Sequence, residues 1–249
     1  MTKICHALIA LITGISGLTY ATVIEHYNID FSSPSHTVGN LPNTGASPDL
    51  IGWVRSGEPV VDTGFGSLSS QPLVFNPNVG TSEQIELYLG LGYDNYKLSF
   101  DIETDNLVGS LYTFGIMIDT PQTRRLDFHG SAGIMTWTPY SGGSGMMGSL
   151  VDNQPMHVEV EIDLLGNRWT VDTGIHPIVS RYFTTSGDDV ESIRFGLSPW
   201  HGSATLDPGV SVGIDNIVVT SNAIPEPHTA TFVFSALAVL VVRRKIGAA

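Results

Sequence analysis

The sequence predicts an all-β protein, an antiparallel β-sandwich, and three observations support this. Apolar and polar residues alternate with a period of two, most clearly over residues 96–102 and 156–163. In such segments a strand turns one face to a core and the other to water. Turn-forming sequences such as NPN, GGSG and DPG separate these segments. Nothing between the two ends of the chain has the pattern of a helix of three turns, so many short strands remain, which favours a sandwich.

The same alternation assigns further strands in order along the chain. Residues Gly166-Asn167 predict a tight hairpin turn after the segment 156–163. Shorter alternating runs predict strands at 23–31, 83–89, 111–118, 134–138, 169–173, 178–183, 193–197 and 210–219. The apolar phase of the clearest strands places these side chains in the core: Leu98, Phe100, Val158, Val160, Ile162, Trp169 and Val171.

The last predicted strand contains an irregularity. In the sequence VSVGIDNIVVTS, at 210–221, the apolar phase changes between Ile214 and Ile217. A change of phase within one strand predicts a β-bulge, here around Asp215-Asn216. This closing strand resembles the last strand of concanavalin-A-like and carbohydrate-module jelly rolls. The resemblance implies a jelly-roll sandwich but no particular activity, because one sandwich fold supports many functions.

Charge and cysteine content exclude several classes of function. The chain has 11 basic and 24 acidic residues; four of the basic and one of the acidic residues lie in the terminal segments. Residues 22–222 therefore carry 7 basic and 23 acidic residues, a net charge of −16. Such a surface repels nucleic acid and anionic lipid and favours cations or neutral partners, although it also simply keeps an exported protein soluble. The only cysteine is Cys5, so thiol catalysis and cysteine-ligated metals are excluded from the domain.

Residues 1–21 have the layout of a secretory signal peptide. Lys3 precedes an apolar run at 7–18, and small residues lead to a predicted cleavage site after Ala21. A first membrane helix is the alternative, but the run is short and lacks a stop-transfer flank. We therefore expect an exported chain with one domain at 22–222, long enough to bury a core of its own.

The C-terminal segment, 223–249, combines a Pro-Glu-Pro motif at 225–227, an apolar run at 229–242 and a basic triplet at 243–245. As a helix the apolar run would be about 21 Å long at about 1.5 Å per residue. A bilayer core of about 30 Å needs about 20 residues, so the run is short for a permanent anchor. The basic triplet is expected to stay on the cytoplasmic side, which leaves the domain outside.

These three features, in this order, resemble the PEP-CTERM sorting signal, also called the ice-binding protein C-terminal domain. The resemblance implies processing by an exosortase, a membrane cysteine protease of Gram-negative bacteria that make exopolysaccharide. Pro225, Glu226 and Pro227 would be the recognised motif, and Arg243 with Arg244 the retaining flank. It also implies a transient stay in the inner membrane, followed by transfer to the cell surface or matrix. A plain C-terminal membrane anchor is the alternative.

One segment invites comparison with a glycoside hydrolase. Glu161, Asp163 and Gly166 occupy the positions of Glu-x-Asp-x-x-Glu, the motif of jelly-roll glucanases that resemble laminarinases. Retaining hydrolysis needs two carboxyl groups about 5 Å apart, and Gly166 stands where the second glutamate is required. We interpret the segment as a solvated acidic face that ends in a turn, and we predict that the protein is not an enzyme.

Two kinds of binding site are also predicted. Jelly-roll modules often hold a structural calcium where the first and last strands meet, which here implies Asp30 with Asp215; an exposed aspartate at the bulge is the alternative. No other cofactor is expected. Sugar binding in sandwiches uses aromatic side chains in loops. Trp137 and Tyr140 border a predicted glycine-rich loop, and Trp200 lies in another; covering a core edge is their alternative role.

Three functions remain open from the sequence. The first is an exported, non-catalytic surface or matrix protein whose partners are the secretion machinery, an exosortase and extracellular polysaccharide. The second is a carbohydrate-binding module of jelly-roll type, and the third is a hydrolase with an unrecognised site. The C-terminal segment favours the first. Ice binding has no support in the domain, which has no regular Thr-x-Thr ladder.

Overall fold

A computed structural model of the chain describes residues 22–31, 38–40, 53–56, 59–68, 71–77, 82–89, 93, 95–119, 124–131, 133–138, 145–182, 190–199 and 209–223. Residues 24–221 form one compact unit, and residues 1–23 with 222–249 form another. All strands belong to the first unit, except for the outermost residues of the first and last strands.

Within the described ranges the chain forms sixteen β-strands. They are β1 (Thr22–Ile29), β2 (Gly39–Asn40), β3 (Trp53–Ser56), β4 (Val60–Val61), β5 (Leu73–Phe75), β6 (Glu83–Tyr88), β7 (Asn95–Asp105), β8 (Tyr112–Asp119), β9 (Arg124–His129), β10 (Ile134–Thr138), β11 (Gly145–Ser149), β12 (Met156–Asp163), β13 (Arg168–Asp172), β14 (Val179–Tyr182), β15 (Ser192–Pro199) and β16 (Ser211–Ala223). These ranges hold no helix long and apolar enough to cross a membrane. The predicted signal peptide and the sorting segment from residue 224 onward lie outside the described residues.

The strands form two sheets. Sheet A has the order β14-β13-β12-β7-β16-β5-β4-β2, and β1 also pairs with β16. Sheet B has the order β11-β10-β9-β8-β15-β6-β3. Every strand pair whose register is described is antiparallel. The predicted fold class, an all-β antiparallel sandwich, is confirmed.

One core lies between the inner faces of the two sheets. Aromatic pairs join them: the rings of Phe100 and Phe195 are 5.3 Å apart at 83°, and those of Phe75 and Phe114 are 5.5 Å apart at 64°. Such edge-to-face pairs add about 0.5–1.5 kcal/mol each beyond their burial. All of the side chains predicted to be in the core are buried there: Leu98, Phe100, Val158, Val160, Ile162, Trp169 and Val171.

The predicted hairpin between β12 and β13 is confirmed. Asp163 pairs with Arg168, and residues 164–167 form the turn. The Gly166 N–H donates to Asp163 Oδ1 at 2.7 Å, and Asn167 has a φ of +53°. Asparagine tolerates this left-handed conformation better than most residues, so the local sequence suits the turn.

The predicted bulge in β16 is also confirmed. The register between β16 and β7 shifts between Asp215 and Val218, and Asn216 has a φ of +52°. The extra residue allows both Ile214 and Ile217 to reach the core, although they are three positions apart.

Several strands were not predicted. Strands β2 to β5 and β9 were missed, and β11 (Gly145–Ser149) lies in a segment predicted to be a glycine-rich loop. That loop prediction is wrong over these residues, because β11 pairs with residues 134–137 of β10. Glycine has no side chain and cannot contribute to an alternation of apolar and polar residues, so the sequence of β11 did not indicate a strand.

Strand β1 brings a partly buried histidine against sheet A. His26 Nε2 is 2.7 Å from Ser221 Oγ, and the imidazole centroid is 4.9 Å from the Tyr93 ring in an edge-on contact. A second ring, that of Tyr96, lies 6.1 Å away. Burial lowers the pKa of the His26 imidazole, because removal from water disfavours its charged form.

This environment predicts a loss of stability on mild acidification. Just below the ordinary pKa of 6.5, His26 is protonated in the unfolded chain, whereas in the folded chain it is still neutral. The free energy of unfolding should therefore fall as the pH drops from 6.5 to the lowered pKa that His26 has in the folded protein. Urea unfolding near pH 7.5 and pH 5.5 tests this (roughly one unit on either side of 6.5). His26→Gln should show a smaller loss between the two; an equal loss would contradict the prediction.

Candidate binding face

A row of cross-strand neighbours crosses the outer face of sheet B. Their order is Thr136 in β10, Asp127 in β9, Gly115 in β8, Gly196 in β15 and Gln84 in β6. For the three central residues, both neighbours in the chain are core residues. Because side chains alternate along a strand, the row lies on the face turned away from the core. We call it the glycine row.

The centre of the glycine row has no side chains. Gly115 and Gly196 are directly paired on adjacent strands. A Cβ placed on Gly196 would lie 3.3 Å from both Gln84 Cβ and the Glu83 carbonyl oxygen. Glycine weakens a strand interior and often marks a place where a ligand or another backbone approaches closely. With adjacent strands about 4.8 Å apart, the row is about 19 Å long.

One end of the glycine row is more deeply buried than an outer sheet face usually is. Asp127 and Thr136 are only 4% and 7% exposed and Gly115 is buried as well, whereas Gly196 and Gln84 are partly exposed. Among the described residues, the buried Thr136 Oγ1 has no hydrogen-bond partner. A buried hydroxyl without a partner costs about 1–3 kcal/mol, and a ligand that supplies the partner recovers that cost.

Polar side chains border the row on both sides. On one side Glu86 accepts a 2.6 Å hydrogen bond from Ser192 Oγ and lies 3.6 Å from Arg194 Nε. On the other side Thr113 Oγ1 and His129 Nδ1 are 3.3 Å apart. The face therefore carries carboxylate, guanidinium and imidazole groups around a centre without side chains, and the Ser192 and Thr113 hydroxyls that bond to them are buried.

The outer face of sheet A is a different surface, since its polar groups satisfy one another. Asp101 lies 2.7 Å from His157 Nδ1 and accepts a 2.6 Å hydrogen bond from the Asn216 amide. Lys97 and Glu159 form an ion pair at 2.9 Å.

The segment 59–68 covers another part of this face. Ser67 donates to Glu103 from both its backbone N–H and its hydroxyl at 2.8 Å. The Phe65 ring lies so close to Gly213 that an added Cβ would be 2.5 Å from it. Sheet B therefore offers the better candidate site.

The predicted calcium ligands have different environments. Asp215 is fully buried and accepts a 2.8 Å hydrogen bond from the Asn216 N–H, whereas Asp30 is exposed just after β1. The alternative of an exposed aspartate at the bulge is therefore wrong. No group of three or more His, Cys, Asp or Glu suited to a metal occurs in the described ranges. The calcium site stays a prediction.

The predicted aromatic ligands stay predictions as well. Trp137 lies within β10, where its backbone pairs with Leu126 and Gly145, and its side chain is outside the described residues. Tyr140 and Trp200 lie outside the described ranges altogether, as do Pro225, Glu226, Pro227, Arg243 and Arg244 of the sorting motif.

The acidic segment compared with a hydrolase motif serves the hairpin. Asp163 uses its carboxylate to accept the Gly166 N–H, and Glu161 is exposed on the outer face of β12. This is the solvated face and turn that the sequence predicted.

The glycine row itself was missed. Its only signal in the sequence is a glycine between two large apolar residues, Phe-Gly-Ile at 114–116 and Phe-Gly-Leu at 195–197. Two such segments cannot be recognised as neighbours until the strand order is known.

The fold and this face define the class of the chain: an antiparallel β-sandwich domain with a polar strip on one outer sheet face. No protein-family model and no curated protein sequence matches the chain. Among solved structures it is similar to a sialidase, with a TM-score of 0.53 and 14% identity over 77% of this chain and 19% of that one.

It is likewise similar to the binding domain of botulinum neurotoxin serotype C1, with a TM-score of 0.54 and 10% identity over 86% of this chain and 52% of that one. A third similar structure is described by the words "Cell entry of botulinum neurotoxin type C is dependent upon interaction with two ganglioside molecules". Its TM-score is 0.54 and its identity 11%, over 86% of this chain and 51% of that one. The chain thus spans about a fifth to a half of these structures, and the likeness concerns the fold.

Proposed function

We propose that the protein is an exported, non-catalytic polysaccharide-binding protein of the cell surface or extracellular matrix. The observation that carries this proposal is the glycine row on sheet B, where two paired glycines, Gly115 and Gly196, leave the backbone without side chains between hydrogen-bonding residues. A polysaccharide presents flat ring faces to such a strip and many hydroxyl groups to its borders. The whole row, of which the two glycines are the only positions without side chains, is about 19 Å long, which suits a linear segment better than a single sugar.

The negative charge of the domain favours a neutral polysaccharide as the ligand. The domain has a net charge of −16, which disfavours anionic ligands. Within the row, Asp127 and Thr136 offer oxygen atoms that can accept hydroxyl protons. Botulinum neurotoxin type C, a protein of similar fold, depends on interaction with two ganglioside molecules for cell entry. Gangliosides are sugar-bearing but anionic molecules, so this likeness supports carbohydrate as the ligand class, and the preference for a neutral polymer rests on the charge of this domain alone.

Export and processing complete the proposal. The predicted signal peptide and the likeness of the C-terminal segment to a PEP-CTERM signal support export, brief residence in the inner membrane and cleavage by an exosortase. Mass spectrometry of the surface fraction tests this part. Loss of residues 1–21 and of the basic triplet supports it, whereas an intact C-terminus on surface-located protein makes the chain a membrane-anchored one.

Binding is tested by affinity electrophoresis in gels that contain neutral polysaccharides, after a glycan array has selected them. Gly196→Leu places a side chain on the bare strip and should reduce binding at least about tenfold, because the sugar can no longer reach the backbone. Thr170→Leu, on the outer face of sheet A, is the matched control and should bind like wild type.

A second variant guards against misfolding of the first. Gln84→Ala removes a polar group from the end of the row without adding bulk, and it should weaken binding while the melting temperature stays near that of wild type. Unchanged binding in both Gly196→Leu and Gln84→Ala, or no binding by wild type to any neutral polysaccharide, would overturn the proposal.

A further inference from the structure

A small cleft is present that shares no residue with the glycine row. It lies between the end of β7, the connection from β11 to β12 and the connection from β13 to β14. Its volume is about 100 Å³, room for one small chemical group rather than a polymer. The side chains that matter for its chemistry are Leu150, Val151, Gln154, Met156, Ile175 and His176.

One wall of the cleft is held in place by hydrogen bonds. The Leu150 N–H donates to the Gly133 carbonyl at 2.8 Å, and the Asn153 N–H donates to the Thr104 carbonyl at 2.7 Å. Asp152 accepts a further hydrogen bond from Thr104 Oγ1 at 2.7 Å. A wall fixed in this way loses little entropy when a ligand binds.

The other wall carries an imidazole whose orientation is fixed. His176 Nε2 lies 3.0 Å from the Ser149 carbonyl oxygen, which can only accept, so the neutral ring has its hydrogen on Nε2. The ring packs over Gly148, where an added Cβ would lie 2.6 Å from it. Nδ1, which has no partner among the described residues, is left as an acceptor.

The cleft also explains two exposed aliphatic side chains. Val151 and Ile175 are each 55% exposed, yet both line the cleft beside the buried Leu150 and Met156. Exposed apolar surface next to a recess marks a place for a ligand rather than an ordinary solvated loop.

We propose that this cleft binds a methyl-bearing neutral sugar, such as a 6-deoxyhexose or an N-acetylhexosamine at the end of a glycan. The methyl group enters between Val151 and Ile175, and a neighbouring hydroxyl donates to His176 Nδ1. The small volume limits the inserted part to a methyl-sized group. The acceptor Nδ1 of His176 favours a hydroxyl that donates, and the acidic domain disfavours an anion. The proposal rests on carbohydrate as the ligand class of the proposed function, but not on the glycine row.

The experiment is an NMR titration of the isotope-labelled protein at about pH 8, where imidazole is ordinarily neutral. The probes are 6-deoxyglucose and N-acetylglucosamine, with glucose and xylose as partners that lack the methyl group. The methyl resonances of Val151 and Ile175 and the Nδ1 resonance of His176 should move on titration, while the ring of His157 serves as an internal control. Affinity should be about fourfold higher for 6-deoxyglucose than for xylose, the factor expected for one buried methyl group.

Matched variants separate this cleft from the glycine row. Ile175→Ser should abolish the preference for the methyl-bearing probes, whereas Ile178→Ser, which changes an isoleucine that is 63% exposed and outside the cleft, should preserve it. Gly196→Leu should leave the cleft's titration unchanged even where polysaccharide binding is lost. Equal shifts with glucose and 6-deoxyglucose, no shifts at Val151 and Ile175, or an unaltered preference in Ile175→Ser would each overturn the proposal.

Discussion

Val160→Asp is expected to destabilise the domain by at least about 4 kcal/mol or to prevent folding. Val160 is 1% exposed and lies in sheet A between Leu98 and Val171, its cross-strand partners on β7 and β13. The substitution removes a buried aliphatic group and puts a carboxylate between two apolar cross-strand neighbours. Urea unfolding measures the loss.

The control for this change is Ser180→Asp, which places the same carboxylate on the exposed strand β14. Its free energy of unfolding should stay within about 0.5 kcal/mol of wild type, as surface substitutions usually do. If Val160→Asp unfolds at the same urea concentration as Ser180→Asp, the assignment of the inner face of β12 is wrong.

Asp152→Ala should cost about 2–3 kcal/mol, the second largest effect we expect. Besides Thr104 Oγ1, the Asp152 carboxylate accepts the Leu107 N–H at 3.2 Å and the Val108 N–H at 2.9 Å. These bonds tie the connection between β7 and β8 to the segment before β12. Without them the Leu107 N–H is left partly buried and unsatisfied.

Hydrogen exchange provides the local measurement for Asp152→Ala. The Leu107 and Val108 amides should exchange faster in this variant, while amides at the centre of β12 keep their relative protection. Asp152→Asn retains one acceptor oxygen and should lose less stability. Equal stability of wild type and Asp152→Ala would show that the connection is held by packing alone.

The sequence predicted the strands that have one buried and one exposed face. Strand β12 and residues 95–102 of β7 show an alternation that matches their burial, and Ile134–Thr138 is a strand with the predicted bounds. The bulge at Asp215-Asn216 was readable because an extra residue shifts the apolar phase of everything that follows. In each case the pattern of apolar and polar residues within one short segment is enough to predict the strand or the bulge.

The short and glycine-rich strands could not be predicted in this way. The segment Gly145–Ser149 has no alternation, and it is a strand because β10 offers it hydrogen-bonding partners. Asp215 was predicted to be a calcium ligand, which stays a prediction; the alternative of an exposed aspartate is wrong, because Asp215 is fully buried and its carboxylate accepts the next backbone N–H. Burial of a polar residue depends on what covers it, which a local pattern does not encode.

From the sequence alone follow the all-β class, the core positions of the long strands, the irregularity of the last strand, the acidic surface and the expectation of export. These depend on residue type and on spacing along one segment. The tertiary structure decided which strands are neighbours. Strand order in turn creates the glycine row, because it pairs Gly115 with Gly196, which are about 80 positions apart in the sequence. The tertiary structure also forms the cleft at His176, because it brings together the end of β7, the connection from β11 to β12 and the connection from β13 to β14. Both sites arise from contacts between distant segments, so their geometry exists only after strand pairing has brought those segments together.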